Sequence, residues 1–177
     1  MTRPYINIVE VGPRDGLQND PADLTTDQKL AFIARLEAAG VSRMESGSFV
    51  SPKAVPKMAD SAEVFRGLDR SGQTKHIALA LNEKGVRRAT DASADEINFV
   101  LVASKGFGER NQGMTPAQSA ERLAECAPLV HEAGIPLSAT ISVAFGDPYD
   151  GEVDPAALSD LAATASNAGV IELALGD

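Results

Sequence analysis

Apolar runs of strand length alternate with stretches of helical period from one end of this 177-residue chain to the other. Strands are predicted at Tyr5–Val11, Val41–Ser46, His76–Leu81, Glu96–Val102, Pro136–Val143 and Val170–Leu175. Several are almost continuous in apolar or β-branched residues, as in a parallel sheet covered on both faces. The helices between them carry boundary signals. Thr25 and Gln28 have capping-box spacing, and Leu30, Ile33, Ala34 and Ala38 form an apolar face that stops at Gly40. Thr115 and Gln118 repeat the signature, with Pro116 at the first helical position, where its missing N–H costs nothing. Asp154-Pro155 opens the last helix and Gly169 closes it, while Pro128 should kink or shorten the helix that holds it. Shorter helices are predicted over residues 60–70 and 83–92.

Strict alternation of strand and helix implies crossover connections and a parallel sheet, either open and doubly wound or curled into a barrel. The glycine-rich phosphate fingerprint of a dinucleotide fold does not follow the first strand. Polar and charged residues recur at the C-terminal ends of the strands, where barrels build active sites. The expectation is therefore an α/β chain, a (β/α)8 TIM barrel of which residues 1–177 hold about six of the eight β/α units as one incomplete domain. No internal repeat, low-complexity tract or linker interrupts it.

Composition narrows the class. With 44% apolar and 23% charged residues the chain reads as globular, and a net charge of -9 argues against nucleic acid as a partner. The single cysteine, Cys126, forms no intrachain disulfide, so a reducing, cytoplasmic location is expected. No apolar run reaches membrane-spanning length, so no membrane partner is expected, and no removable leader is expected before the first strand.

Arg14-Asp15 follows the first predicted strand. A carboxylate there can hold a divalent cation, and an adjacent guanidinium can face a developing oxyanion. An arbitrary Arg-Asp pair reads as a surface salt-bridged turn; Gly12-Pro13 before this one and Gly16 after it set a tight backbone path that raises its interest. Glu45, with Val41 and Met44 before it, should point into the barrel, where it needs a partner such as Arg14; the alternative is an exposed strand-end charge. Asp177 ends the last strand, so Asp15, Glu45 and Asp177 should share one rim, a clustering of like charge that ordinarily calls for a cation. Asn111, placed in a loop after the fourth strand, is a ligand contact or a polar turn residue with equal weight. His76 should lie at the opposite end from the site, His131 in the last turn of a helix, and Cys126 in a packed helix stripe. The Lys84–Arg88 cluster reads as a solvated helix face that could also meet coenzyme phosphates.

Taken together, Val9–Asn19, Glu45–Lys53, Asn82–Gly85, Asn111, Phe145–Gly151 and Leu175–Asp177 resemble the hydroxymethylglutaryl-CoA lyase family of metal-dependent TIM-barrel lyases. Arg-Asp-Gly-x-Gln marks the superfamily, and Leu17-Gln18-Asn19 with Ser48-Phe49-Val50-Ser51-Pro52 narrows it to the CoA lyases. The resemblance implies that Asp15 binds Mg²⁺ or Mn²⁺ and that Arg14 stabilises the enolate oxygen. It further implies that Glu45 orients Arg14, that Asp177 takes part in proton transfer, and that Gln18 and Ser48 line the substrate pocket. The implied reaction is cleavage of 3-hydroxy-3-methylglutaryl-CoA, or a close 3-hydroxy-3-alkylglutaryl-CoA, to acetyl-CoA and acetoacetate or its analogue, with CoA carried in the substrate. An isopropylmalate- or homocitrate-type condensing synthase and a non-catalytic module are the alternatives. A homodimer is compatible with the family, though no residue pattern demands one. The family's H-x-H pair, later asparagine and cysteine-bearing glycine-rich loop have no counterpart here, so this polypeptide alone is expected to be inactive, a truncated part of a longer enzyme. Ala174 stands where many relatives carry serine and Asp147 where some carry cysteine, departures that bear on the acyl substrate.

Overall fold

A computed structural model describes residues 6–177. A wide helical turn over Gly12–Gly16 runs into α1 (Leu17–Asn19) and is followed by α2 (Thr26–Ala38) and β1 (Arg43–Ser48). Then come a 3-10 turn at Pro56–Met58, α3 (Ser61–Gly67), β2 (Lys75–Ala80), α4 (Glu83–Asp91) and β3 (Glu96–Val102). The chain continues through α5 (Lys105–Asn111), α6 (Pro116–Glu132), β4 (Leu137–Ser142), α7 (Pro155–Asn167) and β5 (Glu172–Leu175). Both predicted capping boxes form, Thr25 with Gln28 and Thr115 with Gln118.

All pairings are parallel, and the strand order is β1-β2-β3-β4-β5. An order that follows the sequence, with no switch point, belongs to a singly wound barrel and not to a doubly wound sheet. Curvature is visible in the side chains. Arg43 on the first strand reaches Glu172 on the fifth at 2.9 Å and Glu96 on the third at 3.0 Å. Four strand spacings of ~4.8 Å would hold the outer strands roughly 19 Å apart in a flat sheet, so the sheet curls around these groups. Helices cover its outer face, with Phe65, Val86, Leu123, Val130 and Leu161 among the residues buried there.

Three expectations need correction. The first predicted strand is not formed: Tyr5 lies outside the described residues, and over 6–11 only Glu10 makes a single parallel bridge, to Met44. Among the described residues that segment pairs on one side only, and Ile6 and Ile8 are 78% and 76% exposed, so little burial rewards further pairing. Pro128 does not end its helix, which runs on to Glu132. It sits on the solvent side with Ala124, whose orphaned carbonyl can meet water, while Leu123, Cys126, Ala127 and Val130 pack inward. On α2 the inward face is Lys29, Leu30, Ile33 and Leu36, and Ala34 and Ala38 are exposed. Buried Lys29 is tolerated because its ammonium meets Asp60 at 2.5 Å and the Lys57 carbonyl at 2.6 Å.

Candidate active site

The Gly12–Gly16 turn is wound around one acceptor. The N–H groups of Arg14, Asp15 and Gly16 all donate to the Val11 carbonyl, at 3.1, 2.7 and 3.2 Å. Pro13, buried beside them, has no N–H to satisfy. This leaves the Arg14 and Asp15 side chains projecting together. The Arg14 Nε donates to Glu45 Oε2 at 2.6 Å and its Nη1 to Asp15 Oδ1 at 2.7 Å.

Glu45 is 2% exposed on β1 and points inward, as expected. Ser48 lies three residues on, and in a regular strand would face the other way. A bulge decides otherwise. Glu45 pairs with Ile77, but Gly47 pairs with Ala78 and Ser48 with Leu79, so one extra residue is absorbed and both side chains share the inner face. Gly47 is needed at that step because a Cβ there would lie 2.8 Å from Ser61 Oγ and 3.3 Å from the Phe65 ring.

Arg14, Asp15, Gln18, Ser48 and Asn111 line one cavity of about 500 Å³ at the C-terminal ends of the strands. Leu79, Val100 and Phe107 supply apolar wall. Two residues that sequence reasoning missed, Asn98 on β3 and Thr140 on β4, complete the polar floor. The signal was clearest for Asn98, a polar residue within the apolar run of β3, and weaker for Thr140, which Ser138 and Ser142 flank on β4.

Asn111 does not lie in a loop; it ends α5. Gly106 and Gly108 obscured that helix, since glycine is a poor helix former. Both are required by close packing: a Cβ at Gly106 would fall 2.5 Å from Asp150 Oδ1, and one at Gly108 2.4 Å from the Met114 carbonyl. Ser104 caps the helix, and the Asp150 carboxylate accepts the Gly106 N–H at 2.6 Å and the Ser104 hydroxyl at 3.0 Å. Arg110 stacks 4.2 Å over the Tyr149 ring, tying the same loop to the helix. At the base of that loop Val143 holds a φ of 52°, a strained value for a β-branched residue beside the cavity.

The expected cluster of three carboxylates is not formed. Among the described residues no three of His, Cys, Asp and Glu gather as metal ligands. Glu45 spends one oxygen on Arg14 and the other on Asn98, at 2.7 Å. Asp177 is exposed past the end of β5 and is not part of the cavity lining. Asp15 is half exposed at the cavity. Its Oδ1 takes Arg14, while no hydrogen bond reaches its Oδ2 among the described residues. A lone hard oxygen donor facing solvent fits Mg²⁺ or Mn²⁺, which keep several waters and take one or two carboxylates.

The remaining polar residues fall where expected. His76 is 1% exposed at the start of β2, with Nδ1 2.8 Å from Ser46 Oγ and Nε2 3.0 Å from Glu37. Burial first, and then the charge of Arg70, push its pKa down to about 4 against the pull of Asp95. His131 bonds the Ala168 carbonyl at 2.9 Å. Burial pushes the Cys126 thiol up to about 11, so it is packing and not a nucleophile. On the basic helix face Arg87 pairs with Glu83 at 2.8 Å and Arg88 stacks over Phe49. No helix among the described residues is long and apolar enough to cross a membrane.

Comparison with known proteins bears on the family and the fold. A family model described as HMGL-like matches residues 5–177. A Pseudomonas aeruginosa 3-hydroxy-3-isohexenylglutaryl-CoA/hydroxymethylglutaryl-CoA lyase is 38% identical over 97% of the chain and 57% of its own length. The mitochondrial hydroxymethylglutaryl-CoA lyase of Bos taurus is 37% identical over 97% of the chain and 53% of its own length. The crystal structure of the HMG-CoA lyase from Brucella melitensis superposes with a TM-score of 0.94 at 39% identity, over 99% of this chain and 62% of that one. An HMG-CoA lyase from Acinetobacter baumannii, in complex with coenzyme A and 3-methylmalate, gives a TM-score of 0.93 at 36% identity, over 99% and 58% of the two chains. The chain thus spans little more than half the length of the curated relatives it matches. Its five parallel strands form part of the α/β barrel of those lyases, and the chain belongs to the HMGL-like family.

Proposed function

We propose that this chain supplies the Arg14 side of a lyase active site that cleaves 3-hydroxy-3-methylglutaryl-CoA, or a close 3-hydroxy-3-alkylglutaryl-CoA. The products are acetyl-CoA and acetoacetate or its analogue. One observation carries the reading. The Arg14 guanidinium is clamped on two sides, by Glu45 through Nε and by Asp15 through Nη1, at the edge of a cavity walled by both apolar and polar groups. Among the described residues Nη2 makes no hydrogen bond to a carboxylate, so it is available to a substrate oxygen.

That is the arrangement a retro-Claisen cleavage needs. Loss of the proton from the substrate's tertiary hydroxyl lets the C2–C3 bond break, and its electron pair passes into the thioester as an enolate. A fixed guanidinium beside the enolate oxygen stabilises charge that exists only as the bond breaks. Gln18, Ser48 and Asn111 are assigned to hold the acyl-CoA in the cavity. Asp177 is assigned to proton transfer; the hydroxyl gives up one proton and C2 gains one, so the reaction is proton-neutral. Asp15 would hold a divalent cation, which when bound polarises substrate oxygens as a Lewis acid.

The condensing-synthase alternative is not favoured, because relatives at 36–38% identity are named as lyases. The test is an assay of the full-length protein with HMG-CoA and Mg²⁺, following acetoacetate. Turnover is expected. Failure to cleave, together with condensation of a 2-oxo acid with acetyl-CoA, would establish the synthase; activity in neither direction would establish a non-catalytic module.

A further inference from the structure

We infer that Asn98 is a positioning residue: it holds the Glu45 oxygen that Arg14 leaves free, and so fixes the direction in which the guanidinium enters the cavity. Asn98 lies in the middle of β3, paired with Leu79 on one side and Ser138 on the other. Its Nδ2 donates to Glu45 Oε1 at 2.7 Å and to Thr140 Oγ1 at 3.0 Å, and Thr140 Oγ1 lies 3.2 Å from its Oδ1. A carboxylate only accepts, so the amide must turn its NH₂ toward Glu45.

The two Glu45 oxygens thus take donors from two separate elements. The turn before β1 offers Arg14 to Oε2, and β3 offers Asn98 to Oε1. With one donor the carboxylate could swing and carry the arginine with it; with two its plane is set. Thr140 ties the amide in turn to β4. Asparagine is a poor strand former, and a buried amide is costly unless bonded, so its presence at the centre of an apolar strand is best explained by these contacts. Glu45 is 2% exposed, which leaves little room for water to replace Asn98.

The inference deepens the lyase reading and rests on it for its kinetic test. In the full-length enzyme, Asn98→Leu should lower kcat about ten- to hundredfold, the scale of an ångström's misplacement at a reacting centre, with KM for HMG-CoA nearly unchanged. In an Arg14→Gln background the same substitution should cost little more, because residues acting through one another are not additive. Thr140→Val should give a smaller loss of kcat, and Thr140→Ser should restore it. A residue that only supported the fold would lower Tm, leave kcat alone and add its loss fully to that of Arg14→Gln. Either kcat within about threefold of the parent or full additivity overturns the inference. Should Asn98→Leu fail to fold, the Thr140→Val and Thr140→Ser pair decides it.

Crystal structures of the parent and Asn98→Leu proteins give an answer independent of activity. A rotated Glu45 carboxylate and a displaced guanidinium are expected, and superposable side chains refute the role. If the parent does not cleave HMG-CoA, the functional reading fails, and this comparison alone judges Asn98.

Discussion

Arg14→Gln separates the chemical role of the arginine from its structural one. The Cδ–Nε2 bond of glutamine overlays the Cδ–Nε bond of arginine, so the substituted side chain can keep the 2.6 Å contact to Glu45 Oε2. What it removes is the charge, the Nη1 contact to Asp15 and the free Nη2. The retained amide still donates to the carboxylate, so the stability loss should be that of the charged hydrogen bond to Asp15 and of the counter-charge to Glu45, about 1.5–3 kcal/mol. Arg14→Met removes the Nε donor as well and strands a carboxylate that is 2% exposed. Breaking such a pair costs about 3–5 kcal/mol. Activity should rank differently. Removing one oxyanion donor costs about 10²–10³ in kcat, so both variants should fall by at least that factor although only one is badly destabilised. The assay is acetoacetate release by full-length protein at saturating Mg²⁺ and HMG-CoA, alongside urea unfolding. The reasoning is refuted if Arg14→Gln retains kcat within about tenfold of the parent, or if activity across the two variants simply tracks stability.

Three further outcomes are expected. Gly47→Ala places a methyl 2.8 Å from Ser61 Oγ and should force α3 outward, costing about 1–3 kcal/mol by overpacking, read from thermal unfolding. His76 is depressed from 6.5 to about 4 in the folded chain, so the unfolded state binds more protons between those values. Stability should therefore be complete above about pH 6.5 and fall as pH drops toward 4, by up to about 3 kcal/mol from this group at 1.36 kcal/mol per unit. Glu37, which burial raises, titrates in the opposite sense and lies 3.0 Å from Nε2, so comparing urea unfolding of the parent and His76→Gln at pH 4.5 and 7 reads the pair together, and the parent should show the steeper fall. Cys126 should resist iodoacetamide at pH 8 in the folded protein, and Cys126→Ala should leave kcat intact; rapid alkylation of native protein would contradict its assignment as packing.

What was legible in advance had local causes. Thr25 with Gln28 and Thr115 with Gln118 close hydrogen-bonded loops within four residues, and both form as their spacing predicts. Strand positions followed from apolar runs because β1 to β4 are buried along most of their length, and the segment Arg14-Asp15 was placed at the strand ends because it directly follows a strand-like run. The helix over Lys105–Asn111 was hidden for the converse reason. Its two glycines lower local propensity but are demanded by Asp150, distant in sequence, and by the Met114 carbonyl just past the helix.

Sequence by itself determined the alternation of elements and the parallel sheet, and it named candidate residues for the site. Tertiary structure alone decided which of them meet. Glu45 and Ser48 share a face only because the register with β2 shifts between Glu45 and Gly47. Asn98 and Thr140 join Arg14 only because the sheet curls enough for β3 and β4 to face the turn before β1. Lys29 holds a place on the buried face of α2, four residues before Ile33, because Asp60 and a carbonyl from another turn receive its charge. Capping and propensity act over a few bonds and are written locally. Bulges, sheet curvature and buried polar pairs balance desolvation against partners such as those 31 and 53 residues away, and only the assembled fold supplies those partners.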